Sequence, residues 1–146
     1  MICIDASIAA KWLFPEEYSA QALALLEAAA DDRAILVAPP LLRSEVVNVV
    51  FQRTRARASR AAIEFRQARR LLRDFEEVAP RPIEPERLYD RALEIAHDRQ
   101  LRATYDAVYV ALAEALGATM WTADQALIRE TGTVFPFVTP IAECAL

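Results

Sequence analysis

Short apolar runs separated by helical patterns dominate the chain. Apolar runs bounded by turn residues predict buried strands at 2–5, 35–38, 118–122 and 135–138. A proline-flanked segment at 76–82 predicts a further short edge strand. Strands that are apolar throughout, without polar alternation, are typical of a parallel sheet covered on both faces.

Apolar residues at helical spacing predict helices between these strands, at 7–12, 17–30, 39–56, 59–75, 85–101, 104–116 and 124–130. Ser7 is the expected cap of the first helix, and Gly117 is expected to end the helix at 104–116. Strands that alternate with helices predict an α/β fold with a central, mainly parallel sheet flanked by helices. The length of 146 residues fits one domain spanning 1–146.

Composition narrows the class of protein. Hydrophobic residues make up 55% of the chain, enough to build a core, but no run is long enough to predict a membrane span. The first residues lack the basic start and the cleavage site of a signal peptide. Cys3 and Cys144 lie at opposite ends of the chain and form no metal-binding pair. We therefore expect a reduced, cytoplasmic protein without membrane association.

Four acidic residues on four different elements are expected at one edge of the sheet. Asp5 ends the first strand and Asp124 follows a later one, while Glu45 and Asp106 lie early in two helices. In open α/β sheets the functional cleft lies beyond the carboxyl ends of the strands. Taken singly, each acid has an ordinary structural interpretation. Asp5 could begin a turn, and Asp124 could cap a helix. Glu45 could be a solvated helix residue, and Asp106 could be a favourable charge in the first turn of a helix that Thr104 caps.

Together, the four acids need a neutralising partner. Two carboxylates about 4 Å apart repel each other by about 4 kcal/mol at an effective dielectric of 20. A hard divalent cation such as Mg²⁺ takes oxygen ligands and commonly binds one or two carboxylates with substrate phosphate. The single histidine and the two separated cysteines do not form a zinc site. The pattern therefore predicts a Mg²⁺ or Mn²⁺ site at this edge.

The acids lie in four motifs that occur in the order IDAS at 4–7, SEVVNVV at 44–50, TYDAVYVALAEALGA at 104–118 and WTAD at 121–124. In this order and at this chain length, the motifs resemble the PIN-domain ribonucleases, and most closely their VapC branch, the toxins of type II toxin–antitoxin systems. The resemblance implies a single PIN-like domain. Its metal site would be made by Asp5, Glu45, Asp106 and Asp124, accompanied by Asn48 and Thr122.

The resemblance also implies a mechanism and partners. One or two Mg²⁺ or Mn²⁺ ions would activate a water for in-line attack on an RNA phosphodiester. Asp5 and Asp106 would bind metal directly, and Glu45 and Asp124 directly or through water. The number of ions is open, because Gln125 and the residues after it replace a further acid that many relatives have. A cognate VapB-like antitoxin is expected to neutralise the enzyme, and a homodimer is the expected assembly.

Two other groups of residues are each open to two interpretations. Trp12 and Phe14 fit core packing or, by the resemblance, the hydrophobic groove in which VapC toxins receive their antitoxin. The segment 53–73 contains eight arginines and one acid, Glu64, in a chain whose formal net charge is −4. These arginines fit contact with RNA phosphate, or a solvated helix face or subunit contact.

Two other functions compete with the nuclease hypothesis. One is a non-catalytic interaction module of the PIN fold. The other is a phosphatase or receiver-like domain with an aspartate nucleophile. The second is weaker, because no second aspartate lies two residues after Asp5 and the only lysine of the chain is Lys11.

Overall fold

The computed structural model describes residues 1–55 and 62–145 of the chain. In chain order, the elements within these ranges are β1 (Ile2–Ile4), α1 (Ala6–Leu13), α2 (Ser19–Ala30), β2 (Leu36–Ala38), α3 (Leu41–Arg55), α4 (Phe65–Val78), β3 (Arg81–Pro82), α5 (Leu88–Asp98), α6 (Thr104–Leu116), β4 (Thr119–Thr122), α7 (Gln125–Thr131), β5 (Val138–Pro140) and a 3-10 turn (Ile141–Glu143). No helix in the described ranges is long and apolar enough to cross a membrane.

The strands form one parallel sheet in the order β3–β2–β1–β4–β5. At its centre, Cys3 of β1 pairs with Val37 of β2 on one side and with Met120 of β4 on the other, and all three residues are fully buried. The chain leaves β1 toward β2 and later returns to β4 on the opposite side, so a topological switch point lies between β1 and β4. The predicted α/β fold is confirmed, and every strand pair in the described residues is parallel.

Helix α6 lies deepest in the core. All residues from 107 to 113 are buried, so about two turns of this helix have no solvent face. Gly117 ends the helix in the left-handed conformation, with φ of +59°, which glycine adopts without a steric cost. The predicted succession of a buried helix, a glycine cap and a strand is confirmed here, although in β4 only Met120 and Thr122 are buried and Thr119 is exposed.

Several local predictions are wrong. Asp5, not Ser7, caps α1, because the helix begins one residue earlier than expected. Ala103, not Thr104, occupies the cap position of α6. Helix α4 continues to Val78, three residues into the segment 76–82, with buried Phe75 in its last turn. The short edge strand predicted within this segment is present as β3, but it covers only Arg81–Pro82. The predicted start of α4 at 59 lies outside the described residues.

Candidate functional site

Asp5 is held at the carboxyl end of β1 by hydrogen bonds to both of its oxygens. Its Oδ1 accepts from the backbone N–H of Ser7 at 3.0 Å, from the Ser7 hydroxyl at 2.5 Å and from the N–H of Ile8 at 3.2 Å. Its Oδ2 accepts from the hydroxyl of Thr122. The side chain is only 6% exposed, and this burial raises the pKa of the carboxyl while the hydrogen bonds oppose the rise.

Thr122 joins two turns at the switch point between β1 and β4. While its hydroxyl donates to Asp5, the same oxygen accepts from the backbone N–H of Asp124 at 3.0 Å. A second link runs in parallel, because the Ser7 hydroxyl accepts from the N–H of Ala123 at 2.8 Å. Thr122 is completely buried. These bonds fix the end of β4 against the end of β1, and with it the relative position of two of the four acids.

Glu45, on the second turn of α3, reaches the site through Tyr109 of α6. The phenol hydroxyl of Tyr109 donates to Oε2 of Glu45. Burial raises the pKa of Glu45, the Tyr109 hydrogen bond lowers it, and the charges of Asp106 and Asp5 raise it further. The pKa of Tyr109 is raised by burial and by the neighbouring Glu45, so its proton stays on the phenol. Oε1 of Glu45 accepts from no group in the described residues.

Asp106 faces the other acids from the first turn of α6. Burial raises its pKa from 3.8 to about 6, with further contributions from the charges of Asp124, Asp5 and Glu130. No donor in the described part of the chain contacts its carboxylate. Asp106 is therefore the acid of the site that is most available to a ligand.

Asp124, just beyond the end of β4, uses one carboxylate oxygen to cap the next helix and leaves the other free of bonds to described residues. Its Oδ1 caps α7 by accepting from the N–H groups of Ala126 at 2.7 Å and Leu127 at 3.0 Å, which is the structural role expected of an aspartate at a helix start. Its Oδ2 accepts from no described residue. The structure thus brings Asp5, Glu45, Asp106, Asp124 and Thr122 to one edge of the sheet.

Asn48 does not join this group. It is exposed on α3, and its Oδ1 accepts from Gln52 at 3.4 Å, a partner on the same helix. No hydrogen bond to an acid is present among the described residues. Asn48 lies one turn after Glu45 on α3, a spacing from which its side chain could steer that carboxylate or a water, but no direct bond to the carboxylate is present among the described residues.

Two residues of the site had no predicted role. Tyr109 lies three residues after Asp106 on the same helix, a spacing that places both side chains on one side and that could have indicated it. Glu130, at the end of α7, contributes negative charge at Asp106. A search for a further acid directly after Asp124 misses Glu130, because it lies more than one helical turn away.

Comparison with known proteins identifies the fold family. A model of the PIN domain matches residues 2–132. The chain belongs to the PIN-domain family. PIN domains are commonly nucleases. The crystal structure of PAE2754 from Pyrobaculum aerophilum matches this PIN domain with a TM-score of 0.67 and 23% identity, over 97% of this chain and 89% of that one, a likeness of fold. No curated protein sequence matches the chain significantly.

The oxygen donors of this PIN domain suit a hard divalent ion better than zinc. As the side chains stand, no three His, Cys, Asp or Glu residues in the described ranges converge closely enough to hold an ion. Mg²⁺ usually keeps several waters and binds through one or two carboxylates plus substrate phosphate. The free oxygens of Asp106, Glu45 and Asp124 therefore fit a largely hydrated ion, and they do not fit a closed site in which the protein supplies every ligand.

Proposed function

We propose that this PIN domain is a metal-dependent endoribonuclease that hydrolyses RNA phosphodiester bonds, and that it acts as a VapC-like toxin. One observation carries the proposal. Carboxylates from four separate elements lie at the same edge of a parallel sheet, beside its switch point, where burial and the charges of neighbouring acids raise the pKa of Asp106 to about 6. A fold that gathers acids at this place needs a cation to complete it.

Asp106 and Asp5 are the residues that we assign to the ion, with Asp124 contributing Oδ2. When bound, Mg²⁺ or Mn²⁺ would supply positive charge at the phosphate and lower the pKa of a water. The protein's own contribution is position: Thr122 and Ser7 hold Asp5. Because the pKa of Asp106 lies near 6, its carboxylate is ionised and ready for a cation at neutral pH.

Glu45 is the residue that we assign to the attacking water. Tyr109 holds Oε2 of Glu45, so Oε1 is left to accept a proton from a water in the cleft. The raised pKa of Glu45 suits this function, because a more basic carboxylate is a better proton acceptor. Tyr109 acts as a positioning residue that keeps the carboxylate of α3 directed at the site.

A cognate VapB-like antitoxin is the proposed inhibitor. A groove of about 510 Å³, lined by both apolar and polar side chains, could receive a segment of such a protein. It is lined by Leu13, Phe14, Pro15, Arg53, Ala62, Ile63 and Gln67. Phe14 lines this groove, but it is buried and the Arg53 guanidinium covers its ring, so it offers a partner little free surface. Trp12 is half-buried and does not line the groove, and its indole N–H donates to the carbonyl of Ala22 at 2.8 Å.

A homodimer in the cytoplasm completes the proposal. Tyr89 and Leu93 lie four residues apart on α5 and are largely exposed, which would suit a contact between two copies. Both cysteines are free thiols, as expected in a reducing compartment. Light scattering of the purified protein would measure its oligomeric state.

A non-catalytic interaction module is the second candidate. The observation in its favour is that no three acids converge on one point in the described ranges. Calorimetric titration with Mn²⁺ separates the two functions, because the nuclease must bind the ion and the module need not. An aspartate-nucleophile phosphatase has no such support, since Lys11, the only lysine of the chain, is paired with Glu16.

The test of the proposed function is RNA cleavage by the purified protein. Total RNA is incubated with Mg²⁺ or Mn²⁺, and new 5′ ends are mapped. We expect discrete cleavage sites that disappear in EDTA and return when the metal is restored. Cleavage that continues unchanged in EDTA, or no cleavage with either metal, would contradict the proposal.

A further inference from the structure

Helix α4 presents four arginines on one solvent face. Arg66, Arg69, Arg70 and Arg73 follow the spacing i, i+3, i+4 and i+7, which places them along one side of a helix. All four are exposed, while Ala68 and Phe75 on the opposite side are buried in the core. We call these four residues the α4 arginine face.

These arginines have no ion-pair partner among the described residues. Some other cations of the chain are engaged: Arg53 contacts Glu16 and the ring of Phe14, and Arg91 contacts Glu94 and Glu114. The four arginines lie along about 10 Å of helix in a chain with a net charge of −4, and within the described part of the chain the acids Asp74 and Glu77 of the same helix form no ion pair with them. The face therefore has free capacity for an anionic partner.

An exposed aromatic ring lies beside the arginines. Phe65, the first residue of α4, is 73% exposed. With Arg66, Arg69 and Arg73 it lines a shallow depression of about 320 Å³. Guanidinium groups bind phosphate in a bidentate manner, and aromatic rings stack on bases without strong sequence preference. The combination is the one that single-stranded nucleic acid requires.

The position of the face relative to the acids supports the same ligand. Helices α3 and α4 run antiparallel, because Arg43 contacts Glu76 near one end and the N–H of Ile63 donates to the carbonyl of Arg53 at the other. Glu45 of the site therefore lies near the level of Arg73, with the two helices about 8–10 Å apart. A strand of RNA held on α4 could reach the acids across α3.

We propose that the α4 arginine face, together with Phe65, binds single-stranded RNA through its phosphates and one stacked base and so holds the substrate beside the acidic site. This inference rests on the proposed function. The acids repel phosphate, and the protein as a whole is acidic. A local cationic surface is therefore needed to offset that repulsion.

The test is a binding measurement that does not depend on cleavage. Fluorescence anisotropy follows a labelled single-stranded RNA of about 20 nucleotides, long enough to cover more than one site, in EDTA. The variant is Arg69→Gln/Arg73→Gln. Its matched control is Arg33→Gln/Arg87→Gln, which removes the same charge from exposed ion pairs elsewhere that contribute little to stability. Circular dichroism confirms that both fold.

Each lost phosphate contact removes about 0.7 from the slope of log K against log salt. Loss of two contacts therefore lowers log K by about 1.4 at 0.1 M salt, so we expect the Arg69→Gln/Arg73→Gln variant to bind RNA about 25-fold more weakly. The control should bind within about twofold of the parent, with an unchanged salt slope. Phe65→Leu should weaken binding about fivefold without changing that slope, since stacking releases no counterions.

Equal binding by the parent and the Arg69→Gln/Arg73→Gln variant would overturn the proposal, as would an equal loss in the control. If the variant binds RNA normally but no longer co-purifies with the antitoxin, the face serves an acidic protein, and the proposal is also overturned. Cleavage is scored separately. A parent that binds through α4 but never cuts RNA refutes the nuclease function alone, and a variant that binds and cuts like the parent refutes this inference alone.

Discussion

Replacing Asp106 with Asn should make the metal-free protein more stable. In the folded protein, burial and neighbouring acids raise the pKa of Asp106 from 3.8 to about 6. A difference of this size corresponds to at most about 3 kcal/mol against the ionised form. Asp106 is partly exposed, so solvent screening reduces the cost to about 1–2 kcal/mol. The amide removes the charge, and no protein hydrogen bond to the carboxylate is lost among the described residues.

The effect has a defined pH window. A carboxyl whose pKa is raised on folding binds its proton more tightly in the folded state, so its contribution to stability is present below its ordinary pKa and is lost as pH rises through the folded value. Between the two values, 3.8 and about 6, the parent should lose stability relative to Asp106→Asn. The difference should therefore be small near pH 4 and reach about 1–2 kcal/mol at pH 8.

Urea unfolding in EDTA at these two pH values measures the difference. Asp74→Asn, at an exposed aspartate on α4, is the matched control and should show no comparable gain between pH 4 and pH 8. A parent and an Asp106→Asn variant of equal stability at pH 8 would refute the reasoning, because burial and the neighbouring acids would then impose no cost on the ionised carboxylate. A difference that is the same at both pH values would show that the effect is not electrostatic.

Further predictions concern the support of the site and its ion. Thr122→Val should lower the free energy of unfolding by about 1.5–3 kcal/mol, because Asp5 loses a buried hydrogen-bond donor. Thr122→Ser keeps the hydroxyl and should keep most of the parent's stability; an equal loss in both variants would show that packing, not the hydrogen bond, is responsible. Tyr109→Phe should reduce RNA cleavage about tenfold. It should also move the rising limb of the pH–rate profile to higher pH, because the hydrogen bond that lowers the pKa of Glu45 is lost; an unchanged profile would contradict the positioning role of Tyr109. Mn²⁺ at about 100 times its dissociation constant should stabilise the parent by about 2.7 kcal/mol and Asp106→Asn much less; equal stabilisation would place the ion elsewhere.

The sequence predicts the fold because its signals are local. Apolar runs and helical periods identify most of the elements, and the rule that clefts lie at the carboxyl ends of parallel strands places Asp5 and Asp124 at one edge. The ends of the helices are less predictable. Asp5 rather than Ser7 caps α1, because both residues are good caps and the difference of one or two positions depends on tertiary contacts.

The hydrogen bonds that connect the residues of the site could not be predicted. Thr122 and Asp5 are separated by 117 residues in the chain, and Tyr109 and Glu45 by 64. Such bonds depend on the packing of α6 against the sheet, which no local pattern encodes. Helical spacing places Asn48 one turn from Glu45, but it does not identify the hydrogen-bond partner of the side chain, which is Gln52 at the surface. An action of Asn48 through a water stays a prediction.

Single-turnover RNA cleavage by matched variants tests the central claim most directly. Asp106→Asn and Asp98→Asn change the same chemical group, one at the acidic site and one at the exposed end of α5. In saturating Mn²⁺, we predict that Asp98→Asn cuts RNA at the rate of the parent and that Asp106→Asn loses activity by at least about 100-fold, while remaining folded. If Asp106→Asn cuts as fast as the parent, the acids at the edge of the sheet are not the site of RNA hydrolysis.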